Sequence, residues 1–309
     1  MGIKNLNNFL KNYCIFEEKH ISKYKGKRLG IDTSLFLYRF YYNGNNILES
    51  FLKQILLLVK NDIIPLYIFE GESPSEKKEE LLLREKRKLK NIERLNELEN
   101  IYQKNEDIIK EIELLKRKIV IFNHQDIKNL KEIFLCFGIP YINFQEEADG
   151  LLSHLVKINL IDGVISEDSD FLVHGCPLLL RNFSLYEEKV KEYRLNYILN
   201  NIKLNEDEFK NLCIICGCDY IKKINNNTIQ EIYDKKQYNI EYIKQIGDYY
   251  NKFINVKKIF TRDYYKYELH NMKPHFVDYI IAKYKLYKYQ TTIKSSLLKK
   301  TSILTLFPV

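Results

Sequence analysis

A chain of 309 residues with 45% hydrophobic and 29% charged residues is long enough for a sizeable core and too apolar to be disordered. Its formal net charge of +8 points to an anionic partner, or else serves only solubility. Its longest apolar runs fall short of the roughly 18 residues that a membrane span needs, so no membrane is expected. The 24 tyrosines and the clustered lysines lean towards nucleic acid, although an AT-rich genome also enriches Tyr, Asn, Ile and Lys. Six cysteines at 14, 136, 176, 213, 216 and 218 lie mostly in apolar runs, without disulfide spacing, as expected in a reducing intracellular compartment. Cys213-x-x-Cys216 with Cys218 has no second CxxC or His pair nearby to close a zinc site, and His174 with Cys176 would complete one only by coincidence. Core thiols are expected there.

The start, Met1-Gly-Ile-Lys-Asn-Leu6, has no apolar core of a secretory signal, and Leu6 stands where myristoylation requires Ser or Thr. Arg28–Ile31 reads as a short buried strand ending in Asp32-Thr-Ser34. Leu35–Tyr38 and Ile47–Val59 are helical by periodicity, separated by the turn Asn43-Gly-Asn-Asn46. Pro65–Phe69 is a second strand and ends at Glu70-Gly71. Ser73-Pro74 then opens a charged helical region to about residue 118, with Leu89, Ile92, Leu95, Leu98 and Ile101 as a narrow apolar stripe. Its first half carries a dense cationic face that includes Lys77 and Arg84. Either it is a solvated helical hairpin supported by i,i+4 pairs, or that face grips phosphate.

Asp126–Phe137 is an amphipathic helix, Gly138–Ile142 leads into a strand, and Glu146-Glu147-Ala-Asp149-Gly150 starts the helix Leu151–Asn159. Asp162–Ile165 is a buried strand with Ser166-Glu-Asp168-Ser-Asp170 crowding its end. That stretch is either a solvated acidic turn that caps the next helix, or part of an ion site. Pro177–Phe183 is a strand, and helices follow at Leu195–Asn200 and Glu206–Cys216, the latter running into Gly217-Cys-Asp219-Tyr220. Beyond Lys222-Lys223 and an Asn225-Asn-Asn227 turn lies a helix near Ile229–Lys235, and the Tyr/Lys-rich remainder reads as helical. With no repeat and no low-complexity linker, the expectation is one α/β domain with a helical insertion after Glu70 and a helical C-terminal third.

The acids Asp32, Glu70, Glu147, Asp149, Asp168, Asp170 and Asp219 each stand at a strand end or beside a helix terminus. Carboxylates gathered in one cleft repel each other, and more than one divalent ion is needed to accommodate so many. Two metals about 3.5–4 Å apart clamp the attacking and leaving oxygens of an in-line phosphoryl displacement. Mg²⁺ is held by a few carboxylates and several waters.

Seven segments in order, Met1–Leu6, Gly30-Ile-Asp-Thr-Ser34, Phe69–Pro74 with Lys77 and Arg84, Gly138–Tyr141, Glu147-Ala-Asp149, Glu167-Asp-Ser-Asp170 and Leu212–Tyr220, resemble the XPG-type structure-specific 5′ nucleases. The resemblance covers residues 1 to about 235 and is nearest to the flap endonucleases. It implies a PIN-like 5′-nuclease fold of class α/β: a central, mostly parallel sheet flanked by helices, a helical arch over about 75–118, and a helix–two-turn–helix-like C-terminal part. The implied division is a nuclease domain over 1–220 and a helical DNA-binding region with a tail over 221–309. The seven acids then become metal ligands for two Mg²⁺ ions, with Mn²⁺ as a substitute. Lys77 and Arg84 become the catalytic cations at the base of the arch, which contact the scissile phosphate. Tyr38 matches the aromatic on which a substrate base stacks, and Gly2 the small residue beside the cleft, while Lys222 and Lys223 would grip duplex backbone. The implied enzyme is a monomeric endonuclease and 5′–3′ exonuclease that hydrolyses branched DNA, RNA-containing flaps included, near single-strand/duplex junctions. Its place would be replication and repair, in the nucleus or at a site of DNA replication.

This sequence departs from the flap-endonuclease pattern at three places. Glu70 replaces Asp, as in the Holliday-junction-resolving GEN-type branch, and Asp149 replaces Glu. Ile224-Asn-Asn-Asn-Thr228 lacks the glycines that form the family's potassium-binding turn, which leaves duplex contacts to Lys222, Lys223, Lys235 and Lys236. A GEN-like resolvase and a catalytically weakened DNA-binding scaffold are therefore the alternatives. The tail Thr301–Val309 resembles a degenerate sliding-clamp peptide with Leu304 and Phe307 as anchors, or is an ordinary apolar tail.

Overall fold

The structure is a computed structural model that describes residues 2–119, 124–264, 266–270 and 275–297; the clamp-like anchors Leu304 and Phe307 lie outside them. Among the described residues, eight strands form one sheet: β1 (Glu18–His20), β2 (Arg28–Asp32), β3 (Ile64–Phe69), β4 (Tyr141–Asn143), β5 (Gly163–Ile165), β6 (Leu178–Ser184), β7 (Lys189–Arg194) and β8 (Glu268–His270). Their order is β1-β7-β6-β5-β2-β3-β4-β8. The five central strands run parallel, with Gly30 opposite Leu66 on one side and Val164 on the other. Antiparallel β7, β1 and β8 close the two edges. From β2 the chain builds outward to β3 and β4, then returns to the other side of β2 with β5. The order therefore reverses between β2 and β5, where open α/β sheets bind ligands at the carboxyl ends of the strands.

Helices cover both faces, because central parallel strands must bury both sides. On one face lie α1 (Leu6–Lys11), and on the other α2 (Thr33–Tyr42) and α3 (Ile47–Lys60), the last started by the Asn46 side chain accepting from Glu49 N at 3.0 Å. Then come α4 (Lys78–Glu99) and α5 (Glu106–Lys118), which form the insertion, followed by α6 (His124–Phe137) and α7 (Ala148–Lys157). After β5 come α8 (Asp170–Val173), α9 (Leu195–Ile202), and α10 (Glu206–Ile215), which begins with an Asn205/Glu208 capping box. The chain continues through α11 (Ile229–Asp234), α12 (Ile240–Lys244), α13 (Asp248–Thr261), α14 (Val277–Lys283) and α15 (Gln290–Leu297). One core lies under α1, α7, α10 and α13, and a second under α2, α3, α6 and α14. Among the described residues no helix is long and apolar enough to cross a membrane.

Two expectations change. The C-terminal third is not wholly helical, because β8 pairs antiparallel with β4; three residues are too short to show a strand period in the sequence. Beyond residue 220, Ile229 and Phe253 pack into the first core, and Val277 and Ile293 into the second. The insertion's apolar stripe works only at its far end, where Leu98 packs on Ile112 and Leu115, while Leu89 is 52% exposed. Ion pairs Arg94–Glu111 and Lys116–Glu99 tie α4 to α5, so the insertion is a hairpin with a small core of its own. The turn before α11 is held by Asn225 Oδ1 accepting from Asn227 N at 3.0 Å, and a Thr228/Glu231 capping box starts the helix.

Candidate functional site

The acids gather at the switch point because each ends, or follows, an element that the sheet aims there. Asp32 is the last residue of β2 and also caps α2: Oδ1 accepts from Leu35 N at 3.1 Å and Oδ2 from Ser166 Oγ at 3.1 Å. Glu70 follows β3, Glu147 and Asp149 lie at the start of α7, and Asp168 and Asp170 follow β5. Asp170 N donates to Asp168 Oδ1 at 3.0 Å, which sets the two acids in a tight turn. Asp219 sits in the turn after α10, which a Cys218–Ile221 bridge closes.

Their electrostatics follow from crowding. Burial raises the carboxyls of Asp32, Asp149 and Asp170 above the usual range, and their mutual repulsion adds to it. Asp168 is raised by burial against the stabilising Asp170 N–H, and Glu70 by the protein packed round it and by Glu147. Asp170 Oδ1 is buried and has no hydrogen-bond partner. Among the described residues, no three acids converge tightly enough to enclose an ion as they stand. The donor set is nonetheless what a hard divalent cation requires: carboxylate oxygens in mutual repulsion, one of them buried and unsatisfied.

Cations of the insertion reach into this acid cluster. Lys77, in the turn just before α4, pairs with Glu147 and lies 3.7 Å from Asp219. Burial pulls its ammonium down, but Glu147, Asp149 and Asp219 outweigh this and hold it above its usual range. Arg84, two turns into α4, bonds Asp219 Oδ2 at 2.5 Å and Glu80 at 3.0 Å. Lys77 and Arg84 are thus brought to the acids across separations of 70 and 135 residues. Tyr38 on α2 presents a ring that is 48% exposed, close enough to Glu70 and Arg84 to feel both charges.

Gly2 lies against the same cluster. Its φ of +87° suits glycine, and a Cβ there would collide with Ser169 Oγ and Asp168 Oδ1. Ile3 N donates to Ser169 Oγ at 3.1 Å, tying the first residues to the β5 turn. Lys222 is exposed and pairs with Glu79 of the insertion at 2.8 Å. Lys223 is half-buried and lies behind Gly217. Glu167 turns away from the cleft, with Oε1 3.3 Å from Arg39 and Oε2 accepting from Asn182 N. Cys213 and Cys216 are packed in the first core, and His174 is buried, its imidazole pushed down to about 3 by burial and nearby lysines.

Some site residues escape a search for acids and bases. Glu147 accepts from Ser73 Oγ at 2.9 Å and from Tyr220 OH at 2.6 Å. Ser166 and Ser169 support Asp32, Asp168 and the start of the chain. The available signal is their place within the acidic motifs, next to residues already singled out.

Residues 1–91 match the XPG N-terminal domain and residues 138–219 the XPG I-region, together more than half of the chain. Flap endonuclease 1 of Enterocytozoon bieneusi (strain H348) is 28% identical over 273 residues, covering 82% of this chain and 75% of that protein. Flap endonuclease 1 of Caenorhabditis briggsae is 30% identical over 264 residues, 79% of this chain and 66% of that protein. Among solved structures, flap endonuclease-1 from Methanococcus jannaschii shares the fold with a TM-score of 0.68 at 18% identity, over 97% of this chain and 100% of that one.

Proposed function

The chain belongs to the XPG family of structure-specific 5′ nucleases, and we propose that it acts as a flap-endonuclease-like hydrolase of branched DNA, cutting near the junction of single strand and duplex. The observation that carries this reading is the meeting of carboxylates from three strand ends and two helices with the two insertion cations, Lys77 and Arg84, at the sheet's switch point.

Asp32, Glu70, Glu147, Asp149, Asp168, Asp170 and Asp219 would hold two Mg²⁺ ions, with Mn²⁺ able to substitute. Bound there, the ions would neutralise charge on the phosphate oxygens as displacement proceeds. The chain's own residues bind and orient the strand. A phosphate competes with Glu147 and Asp219 for Lys77 and Arg84, so both cations can pass from carboxylate to the scissile group without travelling far. Arg84 offers the planar fork that suits two phosphate oxygens, while Lys77 acts as a point charge. The half-exposed ring of Tyr38 gives the adjoining base a stacking surface that reads no sequence. Gly2 leaves room for the backbone beside Asp168. Lys222 and Lys223 would reach duplex phosphates, Lys222 by releasing Glu79 of the insertion.

Exonuclease action from a 5′ end, RNA-containing flaps, a monomeric state, residence in the nucleus or another site of DNA replication, and clamp binding through Leu304 and Phe307 belong to the same reading. Glu70 favours a GEN-like resolvase as the second reading, since a longer acid alters its reach at one corner of the site. End-labelled 5′-flap, bubble, nicked and four-way-junction DNA, incubated with Mg²⁺ beside an Asp168→Ala control, separate the two. Flap cleavage that the control lacks is expected. Cleavage of the four-way junction alone would favour the resolvase, and inertness of both proteins with binding intact would leave a scaffold.

A further inference from the structure

Tyr220 directly follows Asp219 and is only 8% exposed. Its hydroxyl donates at 2.6 Å to Glu147 Oε2, the short range expected for a neutral donor on a carboxylate. The other oxygen of Glu147 accepts from Ser73 Oγ and Lys77 Nζ. The tyrosine ring is itself anchored. Phe260 of α13 meets it edge-on at 5.5 Å, and the Lys77 ammonium lies 5.6 Å from its centroid on the cleft side. Glu147 stands at the start of α7 and its side chain makes no bond to that helix's own N–H groups, so its orientation depends on these outside donors.

We infer that Tyr220 is a positioning residue, whose hydroxyl fixes the carboxylate of Glu147 for divalent-metal binding. The inference rests on the reading of Glu147 as a metal acid. The hydrogen bond sets which lone pairs of Glu147 face the cleft, while Lys77 and Ser73 share the opposite oxygen. Releasing Lys77 to a phosphate leaves the Tyr220 bond in place, so Glu147 keeps its orientation when its cation departs. Removing outer hydrogen-bond partners of metal acids typically costs about 10–100-fold in affinity or activity.

The test reads metal binding in the protein without DNA, through the free Mn²⁺ signal in electron paramagnetic resonance. Tyr220→Phe should weaken Mn²⁺ binding by about tenfold, and Tyr220→Met, which keeps bulk without the hydroxyl, should show the same deficit. In a Glu147→Gln background, loss of the hydroxyl should change Mn²⁺ affinity by less than about twofold, since interacting residues are not additive. On a 5′ flap, Tyr220→Phe should lower kcat and leave the Kd for flap DNA unchanged. Wild-type Mn²⁺ affinity in Tyr220→Phe would overturn the inference, as would an equal loss with and without Glu147. If Glu147→Gln itself binds Mn²⁺ like the wild type, the reading of the acid site fails instead.

Discussion

Two sets of carboxylates are drawn into this protein, and they have opposite fates. Glu192 on β7 is buried and fully answered: it accepts from Lys19 at 2.6 Å, Tyr24 OH at 2.7 Å, and Arg194 Nε and Nη2 at 2.9 and 3.1 Å. Burial alone would raise its pKa, but Arg194, Lys19 and Tyr24 outweigh it and hold the group at about 2. Asp170 is buried more deeply, has an oxygen without a partner, and is pushed well above the carboxylate range by burial and by Asp168 and Asp219. The same chemical group thus staples a sheet edge in one place and stores repulsion in the other. An acid that the fold needs is satisfied by the fold, whereas one left short is waiting for something from outside, and perturbed groups cluster at functional sites for that reason.

The sharpest way to break this comparison is to neutralise an acid of each kind. Asp170→Asn should lower flap cleavage by about 10³-fold, the several kcal/mol that charge stabilisation by metal contributes. In metal-free buffer its melting temperature should hold or rise, because the amide removes one source of repulsion. Parallel loss of activity and of melting temperature would make Asp170 another structural acid like Glu192. The next effect belongs to Arg84→Ala, expected to slow single-turnover cleavage by about 10²-fold while flap binding changes by less than about threefold. An unchanged rate would mean that the bond to Asp219 serves only to hold α4 in place.

The sequence makes the acids at the strand ends legible and Glu192 almost invisible. Asp32, Glu70 and Asp168 each follow a short apolar strand, and three repetitions of that local pattern are enough to suggest convergence, since parallel strands aim their carboxyl ends one way. Glu192 offers no such pattern. Its partners Lys19 and Tyr24 lie 173 and 168 residues away, on and after an edge strand of three residues. Tyr220 is visible as a letter beside Asp219, but its separation of 73 positions from Glu147 hides its hydrogen bond. The exposed pair of Lys222 with Glu79, 143 positions earlier, is equally hidden in the sequence. Periodicity finds elements and their ends; the pairing of long side chains across the sheet depends on topology, which periodicity does not carry.

The smallest effect tests the structural side of the comparison. Glu192→Gln keeps the shape but leaves Arg194 without its counter-charge and Lys19 with Glu17 alone, so chemical denaturation should show a loss of about 2 kcal/mol, the scale of a hydrogen bond to a charged group. Flap cleavage at a temperature where the variant remains folded should match the wild type, because the carboxylate's partners are Lys19, Tyr24 and Arg194, on and beside β1 and β7. The pH dependence has a definite sign. The folded carboxyl titrates near 2 and the unfolded one near 4.5, so its contribution is fully present above about 4.5 and is lost as pH falls towards 2. The gap between wild type and Glu192→Gln should therefore narrow over that interval and stay constant above it. A gap that is flat down to pH 2 would mean that the Lys19, Tyr24 and Arg194 bonds contribute shape and no charge stabilisation, and Glu192 would no longer be the satisfied counterpart of Asp170.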